Sequence, residues 1–146
     1  MNIPNSALVL VADGRRMLFL RNEGGAAQPR LVVEEVRKQN NPANRDQTTD
    51  RPGRSHSGIG PGRSALGEAD FHQIEEDRFA AEAAEVLRKR ALSNDFADLI
   101  VIAPPRTLGE LRGRYHKEVS SRITAEFDKD LTSHPVNQIE AALLAA

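Results

Sequence analysis

The sequence predicts a single α/β domain with a mixed β-sheet, and three observations carry that reading. Two short apolar runs, ALVLVA at 7–12 and DLIVIA at 98–103, have the length and Val/Leu/Ile content of buried strands. Asp13-Gly14 directly after the first run is a hairpin signal, so the chain opens with antiparallel pairing. A long stretch with helical spacing lies before the second run and can serve as the crossover that parallel pairing requires. With 146 residues, the chain suits one domain built around one hydrophobic core.

The elements follow in order. After the hairpin signal, RMLFLR at 16–21 reads as the return strand. Gly24-Gly25 and Pro29 then separate it from LVVEEVRK at Leu31–Lys38, a third strand that completes an antiparallel meander. Residues 39–69 form a polar stretch rich in Asn, Arg, Gly, Pro and Ser, expected as a long flexible loop. The longest helix is expected over 70–92, where Phe79, Ala83, Val86 and Leu87 share one face. His72, seven residues before Phe79, is expected on that same inner face. Glu85 and Lys89 form an i, i+4 pair in the favourable order, and Ser93-Asn94 ends the helix. After the 98–103 strand, Pro104-Pro105 turns the chain. Thr107-x-x-Glu110 has the form of a capping box for a helix to about Arg114. A short helical piece over 115–121, a last strand ITAEF at Ile123–Phe127 and a terminal helix opened by Pro135 complete the order.

Composition narrows the chemistry. The formal net charge is −1, so there is no global electrostatic pull toward nucleic acid or an anionic membrane, and any basic surface must be local. Aromatic residues make up only 4%, which leaves the core to Leu, Val, Ile and Ala. The absence of cysteine removes disulfides, thiolate metal sites and cysteine nucleophiles together. The opening residues lack a basic n-region and a full-length apolar core, and no stretch approaches the roughly 20 apolar residues of a membrane span. A soluble, cytoplasmic protein is expected.

Local basic surface is concentrated at RPGRSHSGIGPGRSALG, residues 51–67. PGRS occurs there twice, at 52–55 and 61–64, and no acid intervenes between Asp50 and Glu68. Arg51, Arg54 and Arg63 with His56 offer guanidinium forks and an imidazole, while glycines such as Gly62 and the hydroxyl of Ser64 add small, accessible donors. That set fits contact with a polyanion such as RNA; the alternative is an ordinary solvated loop. The loop lacks G-x-x-x-x-G-K-[ST], so a Walker-type nucleotide site is not expected.

Three further stretches carry a family resemblance when taken with VLVADG at 9–14. They are DRPGRSHSGIGPGRSAL at 50–66, DLIVIAPPRTLGELR at 98–112 and EFDKDLT at 126–132. In this order and spacing the chain resembles the bacterial family named for a protein required for attachment to host cells. That family is similar, more remotely, to the middle domain of archaeal and eukaryotic peptide-chain release factors. There a Gly-Gly-Gln loop between an antiparallel sheet and a long helix promotes peptidyl-tRNA hydrolysis. Placed by order, Gly62 matches the second glycine, Pro61 the first and Arg63 the glutamine. Proline has no backbone N–H and a fixed φ, and arginine offers donors without an acceptor. The resemblance therefore implies a binding role for the loop and does not transfer the hydrolytic one.

Other candidate sites have structural readings beside the functional one. Arg106 and Thr107 fall at the C-terminal end of a central strand and the start of a helix, the usual rim for ligands in an open α/β sheet; capping chemistry explains Thr107 equally well. His72, Glu75 and Glu76 lack the further ligands that a metal needs and read as first-turn polar residues. Asp128-Lys129-Asp130 reads as a surface salt-bridge turn, and the loop serines have no visible base. No metal, no cofactor and no catalytic set are expected. Three function classes follow. The first is a host-attachment protein acting as a non-catalytic binding module through its basic loop, with an unidentified protein as a further candidate partner. The second is a release-factor-like protein associated with the ribosome or RNA, and the third an enzyme acting on a phosphorylated ligand.

Overall fold

The computed structural model describes residues 1–39 and 61–146, with side chains described outside 61–70. The observed order is β1 (Leu8–Ala12), β2 (Arg16–Asn22), β3 (Leu31–Lys38), α1 (Pro61–Leu92), β4 (Leu99–Ile102), α2 (Pro105–Arg112), α3 (Lys117–Ser120), β5 (Ile123–Phe127) and α4 (Val136–Ala145). One five-stranded sheet runs β3-β2-β1-β4-β5. The meander is antiparallel, with Leu8 opposite Arg21 and Ala12 opposite Met17, while β1, β4 and β5 are mutually parallel. The protein is thus the single α/β domain with a mixed sheet that its hydrophobic pattern predicts.

Helices cover both faces of the sheet. Leu8, Leu10, Met17, Phe19, Leu99 and Val101 point to one face and meet Phe79, Ala83, Leu87 and Ala91 of α1, with Leu108 and Leu111 of α2 and Val119 of α3 alongside. Val9, Val11, Leu20, Ile100 and Ile102 point to the other, where Ile139 and Leu143 of α4 and Ile3 close the second core. Strands buried on both faces show no alternation, which is why β1 and β4 read as continuous apolar runs. Each fully buried Leu or Ile among them stabilises the fold by about 1.5–3 kcal/mol.

Two anchors fix the meander. Asn22 is fully buried; its amide donates to the carbonyls of Ile3 and Pro4, and its oxygen accepts from the N–H groups of Gly24 and Arg30, 2.9 Å each. At the other end of β2, Asp13 accepts from the N–H groups of Arg15 and Arg16, both at 2.7 Å, and its own N–H donates to the Arg16 carbonyl. The hairpin apex is therefore Gly14-Arg15, one residue beyond the Asp13-Gly14 pair that announced it.

Four local expectations are corrected. α1 begins at Pro61 and not near residue 70, because Pro61 is preset for a first helical turn. The expected capping box is absent: Pro104 occupies the N-cap, no side chain caps the helix, and α2 ends at Arg112. Pro104 turns the chain by itself, its carbonyl accepting from Leu108 N–H at 2.9 Å. Glu85 pairs with Arg88 three residues on (2.6 Å) and not with Lys89, because the longer guanidinium fork reaches it first. His72 is exposed and not packed inside, because it precedes the buried stripe of α1, which runs only from Phe79 to Ala91.

Candidate functional site

The topology gathers one rim. β3, β1, β4 and β5 all run the same way, so their C-terminal ends lie together with the β1–β2 turn. In open α/β sheets this is the rim at which ligands bind. Lys38 ends β3 opposite Arg16, and the Gln39 N–H donates to the Arg15 carbonyl, so the chain enters residues 40–60 from this rim. A Cβ at Gly14 would fall 2.8 Å from Cδ of Glu76, which places Glu76 of α1 against the turn. From there the helix continues back to Pro61, about four turns past the level of the sheet edge.

A cleft of about 360 Å³ opens at the rim. Its walls are Arg15 and Arg16 from the turn, Lys38 and Gln39 from the end of β3, and Asp130, Thr132 and Ser133 from the segment after β5, with Asp13 at its base. Thr132 is a buried hydroxyl whose Oγ1 lies 2.7 Å from Asp13 Oδ2 and 3.2 Å from Asp130 Oδ1. That contact ties the crossing segment to the hairpin. With two backbone N–H groups on its other oxygen, the Asp13 carboxylate is fully engaged. Arg16 Nη1 donates weakly to the Thr132 carbonyl at 3.4 Å. Arg15, Arg16 and Lys38 form no ion pair with a described carboxylate, and Nε2 of Gln39 is buried without a hydrogen-bond partner among the described residues.

The candidate residues fall unevenly on this frame. Arg51, Arg54 and His56 lie outside the described residues. Gly62, Arg63 and Ser64 belong to the first turns of α1, with their side chains outside the described set. Arg106 is exposed in the first turn of α2 and Thr107 half-buried beside it; both sit at the end of β4, yet neither lines the cleft. Glu75 is held by Arg78 at 2.9 Å, and His116 caps α3 by accepting from Glu118 N–H at 3.0 Å. Among the described residues, no three His, Cys, Asp or Glu side chains gather as a metal site, and no helix is long and apolar enough to cross a membrane.

Sequence reasoning missed Arg15, Arg16, Lys38, Gln39 and Thr132. The signal for the first two was the hairpin turn itself, since turn residues at the C-terminal end of β1 must reach the ligand rim. Thr132 ends the EFDKDLT stretch of the family resemblance, but its burial was not legible, because only the tertiary crossing of its segment buries it.

Away from the rim, an ion network holds β2, β3 and α1 together. Arg90 reaches Glu34, Glu35 and Asp95 at 2.8, 3.2 and 3.3 Å and lies over the Phe19 ring at 5.3 Å. Arg21 shares Glu34 and Asp95 at 3.2 and 2.7 Å. Burial pulls the Glu34 and Asp95 carboxyls up, but their guanidinium partners outweigh it and hold both below their ordinary values. Arg37 is the main cause of the same direction at Glu35. These are structural pairs, distant from the rim.

No curated protein matches the chain. The family bacterial archaeo-eukaryotic release factor family 12 matches residues 6–143, which takes in all five described strands and the described helices up to the last turn of α4. Its description carries the release-factor part of the sequence resemblance and not the host-attachment name. With a matched span from the start of β1 to the last turn of α4, the chain belongs to bacterial archaeo-eukaryotic release factor family 12.

Proposed function

We propose that the protein is a non-catalytic module that binds RNA of the translation machinery, with the stretch from Arg51 to Ser64 as its contact arm. Family membership over residues 6–143 is the observation that carries this reading, because it ties the whole fold to a release-factor lineage. The sheet-to-helix connection of the meander supports it. β3 delivers the chain from the rim, and α1 receives it at Pro61, so Gly62, Arg63 and Ser64 stand at the far end of a helix braced on the hairpin turn. Arginines there would meet phosphate oxygens through paired N–H donors, and glycines would let backbone approach closely.

Hydrolysis is left out of the proposal on chemical grounds. Placed by order, Pro61 and Arg63 take the positions of the first glycine and the glutamine of the hydrolytic loop; proline lacks the backbone N–H, and arginine lacks the side-chain amide, that would organise an attacking water. Any requirement for such a chain in attachment to host cells would follow indirectly, through synthesis of surface components.

Co-sedimentation with bacterial ribosomes at low and high salt tests the reading, with a variant in which Arg51, Arg54 and Arg63 are all changed to Ala run in parallel. Native protein is expected in the ribosomal pellet at low salt and in the supernatant at high salt, with the variant failing to pellet at either. Native protein that stays in the supernatant at every salt concentration removes the proposal.

A further inference from the structure

We infer that the rim cleft between the β1–β2 turn and the end of β3 is a seat for a phosphate group, held by Arg15, Arg16, Lys38 and the side-chain amide of Gln39. Three cations and two carboxylates surround the cleft, so 3 − 2 leaves one net positive charge. The effective excess is larger, because Asp13 is already saturated by two backbone N–H groups and the Thr132 hydroxyl. None of the three cations reaches a described carboxylate, and Arg16 has only its long contact to the Thr132 carbonyl. Gln39 adds a second, independent observation. It lines the cleft, and its Nε2, closed off from solvent, has no acceptor among the described residues, a state that turning the amide toward a bound oxyanion would relieve.

A tetrahedral oxyanion answers these donors best. They come from two directions, the hairpin turn and the β3 end, and a phosphate presents acceptor oxygens to both at once. The two arginines supply forked donors and Lys38 a point charge. The Ser133 hydroxyl, exposed at the opposite wall, adds a donor that can rotate to suit. The cleft is open, and the turn and β3 end that carry these side chains are fixed by their own backbone hydrogen bonds.

That group has two sources, an RNA backbone or a small phosphorylated molecule, and the inference rests on the translation reading only for the first. Titration of the ¹⁵N-labelled full chain separates them, with inorganic phosphate in one arm and a single-stranded RNA dodecamer in the other. The Gln39 side-chain amide and the Arg15 and Arg16 Nε–H signals are the readout. Shifts at these signals with RNA, saturating at lower concentration than with phosphate, assign the seat to a nucleic-acid backbone. Shifts with phosphate alone assign it to a small ligand. In either case the double variant Arg15→Ala, Lys38→Ala, at two exposed positions, is expected to raise the half-saturation concentration at least tenfold while the core amide signals stay in place. Absence of shifts at Gln39 and both arginines in both arms overturns the inference, whatever the ribosome pelleting shows. Conversely, phosphate shifts beside a protein that never pellets leave the seat standing and remove only the translation reading.

Discussion

Arg90 is the residue on which most of the charge balance of β2, β3 and α1 depends. It bridges two adjacent glutamates of β3 and the aspartate after α1, and its guanidinium covers Phe19. With its side chain only 19% exposed, replacing Arg90 by Ala is expected to cost about 1–2 kcal/mol, discounted for the exposed Asp95 end. That corresponds to a drop of roughly 3–8 °C in Tm by calorimetry. The pH dependence follows from the direction of the carboxyl shifts. Glu34, Glu35 and Asp95 are all held below their ordinary values of 4.5, 4.5 and 3.8. Their contribution is complete above those values and is lost as pH falls through the lower folded ones. Native Tm should thus fall as pH is lowered from about 5, and Arg90→Ala should fall less steeply. Parallel curves for the two proteins would deny Arg90 that role.

At the scale of elements, the turns decide where the rim residues stand, and two glycines separate rigid from yielding contacts. A Cβ at Gly24 would meet the Arg30 N–H nitrogen and the Gln28 carbonyl oxygen at 2.6 Å, both backbone atoms of the β2–β3 connection. Gly24→Ala is expected to destabilise the protein by about 1–3 kcal/mol, since neither atom can retreat without moving the chain. Gly14→Ala meets only the Glu76 side chain, at 2.8 Å, which can rotate away. Urea denaturation of both variants checks the contrast; equal midpoints would show that the β2–β3 connection yields as readily as a side chain.

Most of this element pattern was legible in the sequence because it is local. β3 and β5 carry their boundaries in their residue pattern, and Phe79, Ala83 and Leu87 announce the buried face of α1. The start of α1 was not legible: Ser64-Ala65-Leu66 continues a helix as readily as it continues a glycine-rich loop, and only Pro61 marks the break. Thr107 and Glu110 have capping-box chemistry but sit inside a helix that Pro104 had already begun. The cleft was illegible for a different reason. Arg15, Lys38 and Thr132 are far apart in sequence, and each alone is an ordinary polar residue. The β3-β2 pairing brings the first two together, and the segment after β5 crosses back to add Thr132.

For the whole molecule, the net charge of −1 means that affinity for a polyanion must come from charge placement. The fold supplies a placement: ion pairs consume Arg21 of β2 and the arginines of the C-terminal half of α1, while Arg15, Arg16 and Lys38 at the rim pair with no described carboxylate. The chain leaves β3 at that same rim, and in the proposed function the rim cations and the arm from Arg51 to Ser64 serve one RNA partner. The direct test of that claim is a photo-crosslinking amino acid at position 63, irradiated with native bacterial ribosomes at low salt and mapped by the identity of the captured molecule. Crosslinks to ribosomal or transfer RNA that fade as salt is raised are expected. Crosslinks to protein alone, unchanged by salt, would contradict that claim.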